Sequence, residues 1–431
     1  MSVAQQTQGS NVPKVVWWRV LSWQMYDFAD TIYSMNVYTF YFGLFLFSAF
    51  GMESTHFGWA LSIANLVVAI TSPLLGAMSD ASQRRMPFLR FFAVLTALST
   101  AAIAFANSYV TAVLLFVFSY LFYQTAWNFY QALLPGLCNE ENVSRVSGIA
   151  IGLGYVGSIF GMVSMMFLID GEAQYYLVFL YSAALYLLFA IPGLTLVPDF
   201  APPTHRIRLD IRSAYRRVWD TITHARRFPG LFRFLVADFI YENAIAAVIG
   251  FMTVYAKRVA GFDDDNIMMF FIFSTLFAVL AGFAFGPVVD RIGPKRSVII
   301  TLIIWLITFP MVALATTPAL FNVIGPLAGI GLAAVWTSSR TYLVALAPVE
   351  KSGEFFGLYA LSGKSASVLG VFVWTLVLQY LTEPYGEVFA LRSAVWVMWL
   401  FTLVGLALVF TLPDVRPTRA NILDRSKIEA Q

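Results

Sequence analysis

Apolar residues in this chain fall into long runs that carry no polar face, separated by short polar breaks. A helix that spans a bilayer needs about 20 such residues. Twelve runs are long enough, at roughly 20–49, 56–79, 88–106, 109–136, 146–169 and 174–197, then 230–256, 265–289, 297–316, 320–346, 353–381 and 388–412. The pattern predicts an all-α integral membrane protein with twelve transmembrane helices. A long polar segment, 198–229, separates the first six from the second six. The expected organisation is a tail (1–19), a six-helix bundle (20–197), a linker (198–229), a second bundle (230–412) and a tail (413–431).

Composition agrees. Charged residues make up 12% of the 431 positions, against about 25% in a soluble domain. The segment Met1–Gln8 is polar and uncharged, so it lacks the basic start of a cleaved signal peptide. Of 27 lysines and arginines, 22 fall on the side that holds both termini, three (Lys257, Arg258, Arg392) on the other, and two (Arg340, Lys364) within spans. This asymmetry predicts cytoplasmic termini and a cytoplasmic linker. The linker is basic through Arg206, Arg208, Arg212, Arg216, Arg217, Arg226 and Arg227. Contact with anionic lipid accounts for it better than nucleic acid. The single cysteine, Cys138, excludes an internal disulfide.

The two sets of spans resemble each other at a nearly constant offset. Gly76, Asp80 and Arg85 recur 210 residues later as Gly286, Asp290 and Lys295. Glu141, Gly148, Gly154, Ser158 and Gly161 recur 209 later as Glu350, Gly357, Gly363, Ser367 and Gly370, and Asp27-Phe28 recurs 211 later as Asp238-Phe239. Six helices is an even number, so both copies share one topology. Two parallel six-helix repeats are the pattern of the major facilitator fold, with a site at their interface near the midplane.

Six charged residues stand inside the spans: Asp27 and Asp30 in the first, Asp238 and Glu242 in the seventh, Arg340 in the tenth and Lys364 in the eleventh. Each costs about 2.5–3.5 kcal/mol on insertion scales, so they are the candidate substrate or proton-coupling residues. Asp27 and Asp30 are three apart, and Asp238 and Glu242 four apart, so each pair shares a helix face. Four acids against two bases leave some acids protonated, or leave a cation or cationic substrate to complete the balance. The alternative is structural ion pairs plus acids at water-filled mouths. The fourth span supplies Gln124, Asn128 and Gln131, and Gln131 stands 209 before Arg340. Trp23, Tyr26, Tyr33, Trp127, Tyr130, Asn243 and Trp336 are the further cavity-lining candidates.

The loop after the second span carries Gly76, Asp80, Arg84 and Arg85, and its second copy Gly286, Asp290, Arg291 and Lys295. Glycine permits close helix approach, and an aspartate suits a helix N-terminus. The motif therefore reads as a cytoplasmic latch. It matches the superfamily's signature G-x-x-x-D-R-x-G-R-R and departs from it at Ala81 and Gln83. The glycines of the fifth span (Gly148, Gly152, Gly154, Gly157, Gly161) predict tight packing, with flexing as the alternative. Met162, Met165, Met166, Met268 and Met269 are expected to pack against lipid rather than to line a copper path. No G-x-x-x-x-G-K-[ST] loop and no catalytic triad occurs, so no enzyme activity, cofactor or metal is expected.

Three segments resemble the vacuole-effluxer-like branch of the major facilitator superfamily. Ser22 to Ala29 resembles its opening W-x-x-Y-D-F-A, Phe232 to Tyr241 resembles its seventh helix, and Glu354 to Lys364 resembles its E-F-F-G-x-Y-x-L-S-G-K. The resemblance implies the twelve-helix fold and makes Asp27 and Lys364 family features. Asp30 stands where the family is expected to carry Asn. Eukaryotic relatives are associated with amino-acid export from the vacuole. Short tails and compact loops point to a bacterial inner membrane. The expected function is transport of an amino acid or small peptide by alternating access with proton coupling, by a monomer among membrane lipids. A facilitative carrier, or cargo such as a sugar, organic anion, siderophore-like molecule or metal, remains the alternative.

Overall fold

The computed structural model describes residues 16–82, 85–131, 133, 137, 143–199, 216, 219–220, 223, 226–346 and 352–415. Arg84, Cys138 and most of the basic linker lie outside them. The described residues form helices: α1 (Trp17–Tyr33), a π-helical stretch (Ser34–Tyr41), α2 (Phe42–Phe50), α3 (Ser54–Ser82), α4 (Met86–Ile103), α5 (Tyr109–Gln131), α6 (Val143–Leu168), α7 (Tyr175–Leu196), α8 (Pro229–Arg258), α9 (Asp264–Ile292), α10 (Pro294–Leu314), α11 (Pro318–Leu346), α12 (Ser352–Tyr385) and α13 (Glu387–Phe410).

Ten of these are long and apolar enough to cross a bilayer. The other two predicted spans differ. The first is one continuous rod whose middle widens to π geometry, so α1, the π stretch and α2 together make it up. The fifth shows an apolar stretch over Gly152–Leu168 among the described residues.

Helix contacts obey the repeat. In the first set α1 packs on α6 and α7, α4 on α5 and α7, and α3 on α5. In the second set the counterparts pack alike: α8 on α12 and α13, α10 on α11 and α13, and α9 on α11. Between the sets the principal contacts are α3 with α12 and α6 with α9, which are again counterparts.

Glycine explains how closely α6 approaches α1. A Cβ at Gly157 would lie 2.4 Å from the Phe28 carbonyl oxygen, and one at Gly154 would lie 3.1 Å from Asp27 Oδ2. A Cβ at Gly161 would stand 3.4 Å from the Ile32 Cα. In the second repeat a Cβ at Gly370 would lie 2.0 Å from the Asn243 carbonyl oxygen. Gly370 is 209 residues after Gly161, and Asn243 is 211 after Ile32, so the same backbone crossing is built twice. Gly152 has a single neighbour, at an ordinary 3.8 Å.

The hydrogen bonds between the two sets, among the described residues, lie in the halves of the helices far from the termini. The Ser54 amide and hydroxyl donate to Glu387, Trp59 Nε1 donates to Gln379 Oε1 at 2.6 Å, and the Ser62 and Thr375 hydroxyls pair at 3.2 Å. Thr253 donates to the Thr39 carbonyl at 2.7 Å, and Lys257 pairs with Glu172 at 2.6 Å. The sets are therefore sealed on the face opposite the termini.

Two expectations need correcting or placing. Met162, Met165 and Met268 are buried rather than lipid-facing, while Met269 is exposed. Flexible thioethers fill irregular gaps between helices, which competes with a lipid-facing position. Of the latch residues, Gly76, Asp80 and Asp290 lie on helices with side chains outside the described set. Lys295 holds the end of α13 by donating to the Phe410 and Leu412 carbonyls, which suits a cation at a helix C-terminus. Arg291 is exposed and Gly286 has open space around it.

Replacing Gly157 or Gly370 with alanine is expected to destabilise the protein by about 1–3 kcal/mol, the usual cost of overpacking, whereas Gly152→Ala is expected to be neutral. Thermal melts of the purified variants in detergent check the contrast.

Candidate functional site

Three of the in-membrane charges, Asp27, Glu242 and Arg340, come near one another across the two sets of helices. Asp27 lies on α1 against Gly154 of α6. Arg340, on α11 of the other set, is exposed and makes no ion pair or hydrogen bond among the described residues. It acts electrostatically on Asp27, Glu242, Tyr155 and Tyr359. One guanidinium thus lies within electrostatic range of an acid of the first set and an acid of the second. Glu242 also hydrogen-bonds Trp336.

The other two acids are held differently. Asp30 is 2% exposed, and its Oδ2 accepts from the Tyr123 hydroxyl at 2.8 Å. Its Oδ1 is buried with no partner. Asp238 is 0% exposed, and its Oδ1 accepts from the Tyr241 hydroxyl at 2.6 Å. That hydroxyl also meets Ser339 at 2.7 Å, which ties α8 to α11. Asp238 Oδ2 is buried with no partner. Neither acid has a cation within ion-pairing distance among the described residues. Both therefore rest on phenol donors, which partly replace lost hydration.

An aromatic stack surrounds the acids of α1. Trp23 stacks on Tyr130 at 4.4 Å, and Tyr130 on both Tyr26 (5.0 Å) and Trp127 (5.1 Å). The Trp23 indole donates to the Tyr130 carbonyl at 3.1 Å. Tyr33 stacks on Tyr123 at 4.3 Å and joins Ser119 and Thr100 in a hydroxyl chain. Offset stacks of this kind add about 0.5–1.5 kcal/mol per pair beyond area burial.

The predicted residues therefore divide. Trp23, Tyr26, Tyr33 and Tyr130 sit in the packed interior of the first set, and Asn243 is buried on α8. Gln124, Trp127, Asn128 and Trp336 are half-buried, and Gln131 is exposed. Gln124 donates to the Tyr120 hydroxyl at 2.9 Å. Lys364 lies on α12, and its side chain is outside the described set.

Five residues at the charges escaped the sequence reading: Tyr123, Tyr155, Tyr241, Ser339 and Tyr359. The repeat held a signal for two of them. Tyr241 stands 211 after Asp30, and Tyr155 stands 209 before Lys364. A phenol in one copy thus mirrors a charged group in the other.

Comparison with known proteins bears on this arrangement. A family model described as vacuole effluxer Atg22 like matches residues 52–421. YxiO, an uncharacterized MFS-type transporter of Bacillus subtilis, is 26% identical over 86% of this chain and 90% of its own. Autophagy-related protein 22-1 of Penicillium rubens is 24% identical over 57% of this chain and 45% of its own. The crystal structure of the nucleoside transporter NupG superposes with a TM-score of 0.71 at 15% identity, covering 92% of this chain and all of that one.

Tyr241→Phe removes the phenol that joins Asp238 to Ser339. It is expected to lower stability by about 1–3 kcal/mol, the cost of leaving buried polar partners unmet. A melting curve beside that of Tyr241→Phe/Ser339→Ala checks it, and the double variant is expected to lose less than the sum of the singles.

Proposed function

Because the chain belongs to the vacuole effluxer Atg22-like family, and is an MFS-type membrane transporter rather than an enzyme, we propose that it moves a small zwitterionic solute, an amino acid or small peptide, by proton-coupled alternating access. The observation that carries this reading is the exposed Arg340 guanidinium, which makes no ion pair among the described residues and lies within electrostatic range of Asp27 of the first set and Glu242 of the second. A zwitterion matches that layout: its carboxylate meets Arg340 and its ammonium meets an acid. Bidentate recognition of carboxylate is what a guanidinium does best.

Proton coupling is supported by the acids that Arg340 does not serve. Asp30 and Asp238 are buried on phenol donors with one oxygen of each unpartnered. A proton is the one ligand small enough to balance such a carboxyl without a cavity. Alternating access is supported by the one-sided seal. The face opposite the termini is held by a few single hydrogen bonds, which can part without unpacking either set. Lysine and arginine placement supports cytoplasmic termini. We place the protein in a bacterial inner membrane, as a monomer whose basic linker lies against anionic lipid.

Uptake by proteoliposomes tests the coupling. An imposed proton gradient is expected to raise it, and Asp30→Asn and Asp238→Asn are expected to abolish that response. Unchanged transport and pH dependence in amide variants of all four acids would remove the coupling role, and insensitivity of the wild type to the gradient would favour a facilitative carrier.

Cysteines at Ser62 and Thr375 test the alternation. Their hydroxyls pair at 3.2 Å across the two sets, so thiols placed there face each other. The oxidised double variant is expected to stop transport and the reduced one to restore it. Full activity when cross-linked would show that this face need not open.

A further inference from the structure

Tyr155 of α6 is the residue at this site whose geometry asks most plainly for a ligand. Its side chain packs against the cluster of Ala278, Ala281 and Ala333 on α9 and α11 of the second set. Its hydroxyl is buried and has no hydrogen-bond partner among the described residues. Asp27 and Arg340 both act on it electrostatically. A phenol can donate, but the guanidinium beside it has donors only and can accept nothing. A group that satisfies both a phenol O–H and a guanidinium that makes no ion pair among the described residues is an anion. The repeat adds a second, independent reason. Tyr155 holds in the first copy the position of Lys364 in the second, as Gln131 holds that of Arg340.

We propose that Tyr155 is a substrate-binding residue that acts with Arg340: its phenol donates a hydrogen bond to the carboxylate that the guanidinium attracts. One carboxylate is then gripped from both sets of helices, so binding itself draws them together. This rests on the zwitterion reading above and gives it a specificity element. Solutes with an amide or no group in place of the carboxylate lose contacts to both sets at once.

The test is uptake of a radiolabelled mixture of the twenty amino acids into proteoliposomes holding the full chain. Tyr155→Phe removes only the hydroxyl. A hydrogen bond to a charged group contributes about 1.5–3 kcal/mol, so the half-saturating concentration is expected to rise about tenfold or more, with the maximal rate and melting temperature retained. Tyr155→His, which keeps a ring with an N–H donor, is expected to fall between wild type and Tyr155→Phe. An equal loss in both variants would assign Tyr155 a packing role and overturn the proposal. Loss of uptake in Arg340→Ala with an unchanged half-saturating concentration in Tyr155→Phe would also overturn it, and would leave the zwitterion reading standing. Full uptake in Arg340→Ala, or no uptake by the wild type, would overturn both.

Discussion

The backbone-to-backbone crossing of α1 on α6, repeated as α8 on α12, is the contact on which the rest of this structure depends. No hydrophobic effect drives helices together inside a bilayer, because lipid tails are as apolar as leucine. Association rests on van der Waals fit, and the fit here is made by glycines that leave no Cβ against the Phe28 and Asn243 carbonyls. Those crossings set the depth and rotation of α1 and α8. The two helices carry all four in-membrane acids, so the packing of small residues decides where the charge stands.

The acids then separate by what surrounds them. Asp27 and Glu242 both lie within electrostatic range of the Arg340 guanidinium. Asp30 and Asp238 turn into their own sets, where each accepts from a phenol. Equivalent positions in the two repeats are not chemically equivalent. Asp30 is answered by Tyr241, Gln131 by Arg340 and Tyr155 by Lys364. The fold is symmetric and its polar equipment is not, which gives one pseudo-twofold framework different partners on its two walls.

The far-face seal has a different character from the crossings. Its polar bonds are single ones: Lys257 with Glu172 and Trp59 with Gln379 lie in the exposed part, whereas Ser62 with Thr375 and Thr253 with the Thr39 carbonyl are buried. Exposed ion pairs contribute about 0–1 kcal/mol each. The glycine crossings within each set bring backbone against backbone, whereas each of these bonds between the sets uses at least one side chain. Relative movement of the sets is therefore cheaper at the seal than anywhere within them.

The sequence by itself determined the helical membrane architecture, the parallel repeat and the list of in-membrane charges, because those follow from run length, from residue offsets and from the cost of charge in hydrocarbon. Glycine spacing also foretold close packing at Gly154, Gly157 and Gly161. What only the tertiary structure decided is which groups meet. The pairing of Asp30 with Tyr123, the link from Asp238 through Tyr241 to Ser339, and the nearness of Arg340 to acids of both sets depend on helix rotation and depth, although Asp238 and Tyr241 already share a face at i, i+3. Those are fixed by contacts between residues more than a hundred positions apart, and no local pattern encodes them. The same reason put Trp23, Tyr26, Tyr33 and Tyr130 inside a packed stack. An aromatic side chain reads alike in sequence whether it faces a cavity, a lipid or another ring, and only its neighbours choose.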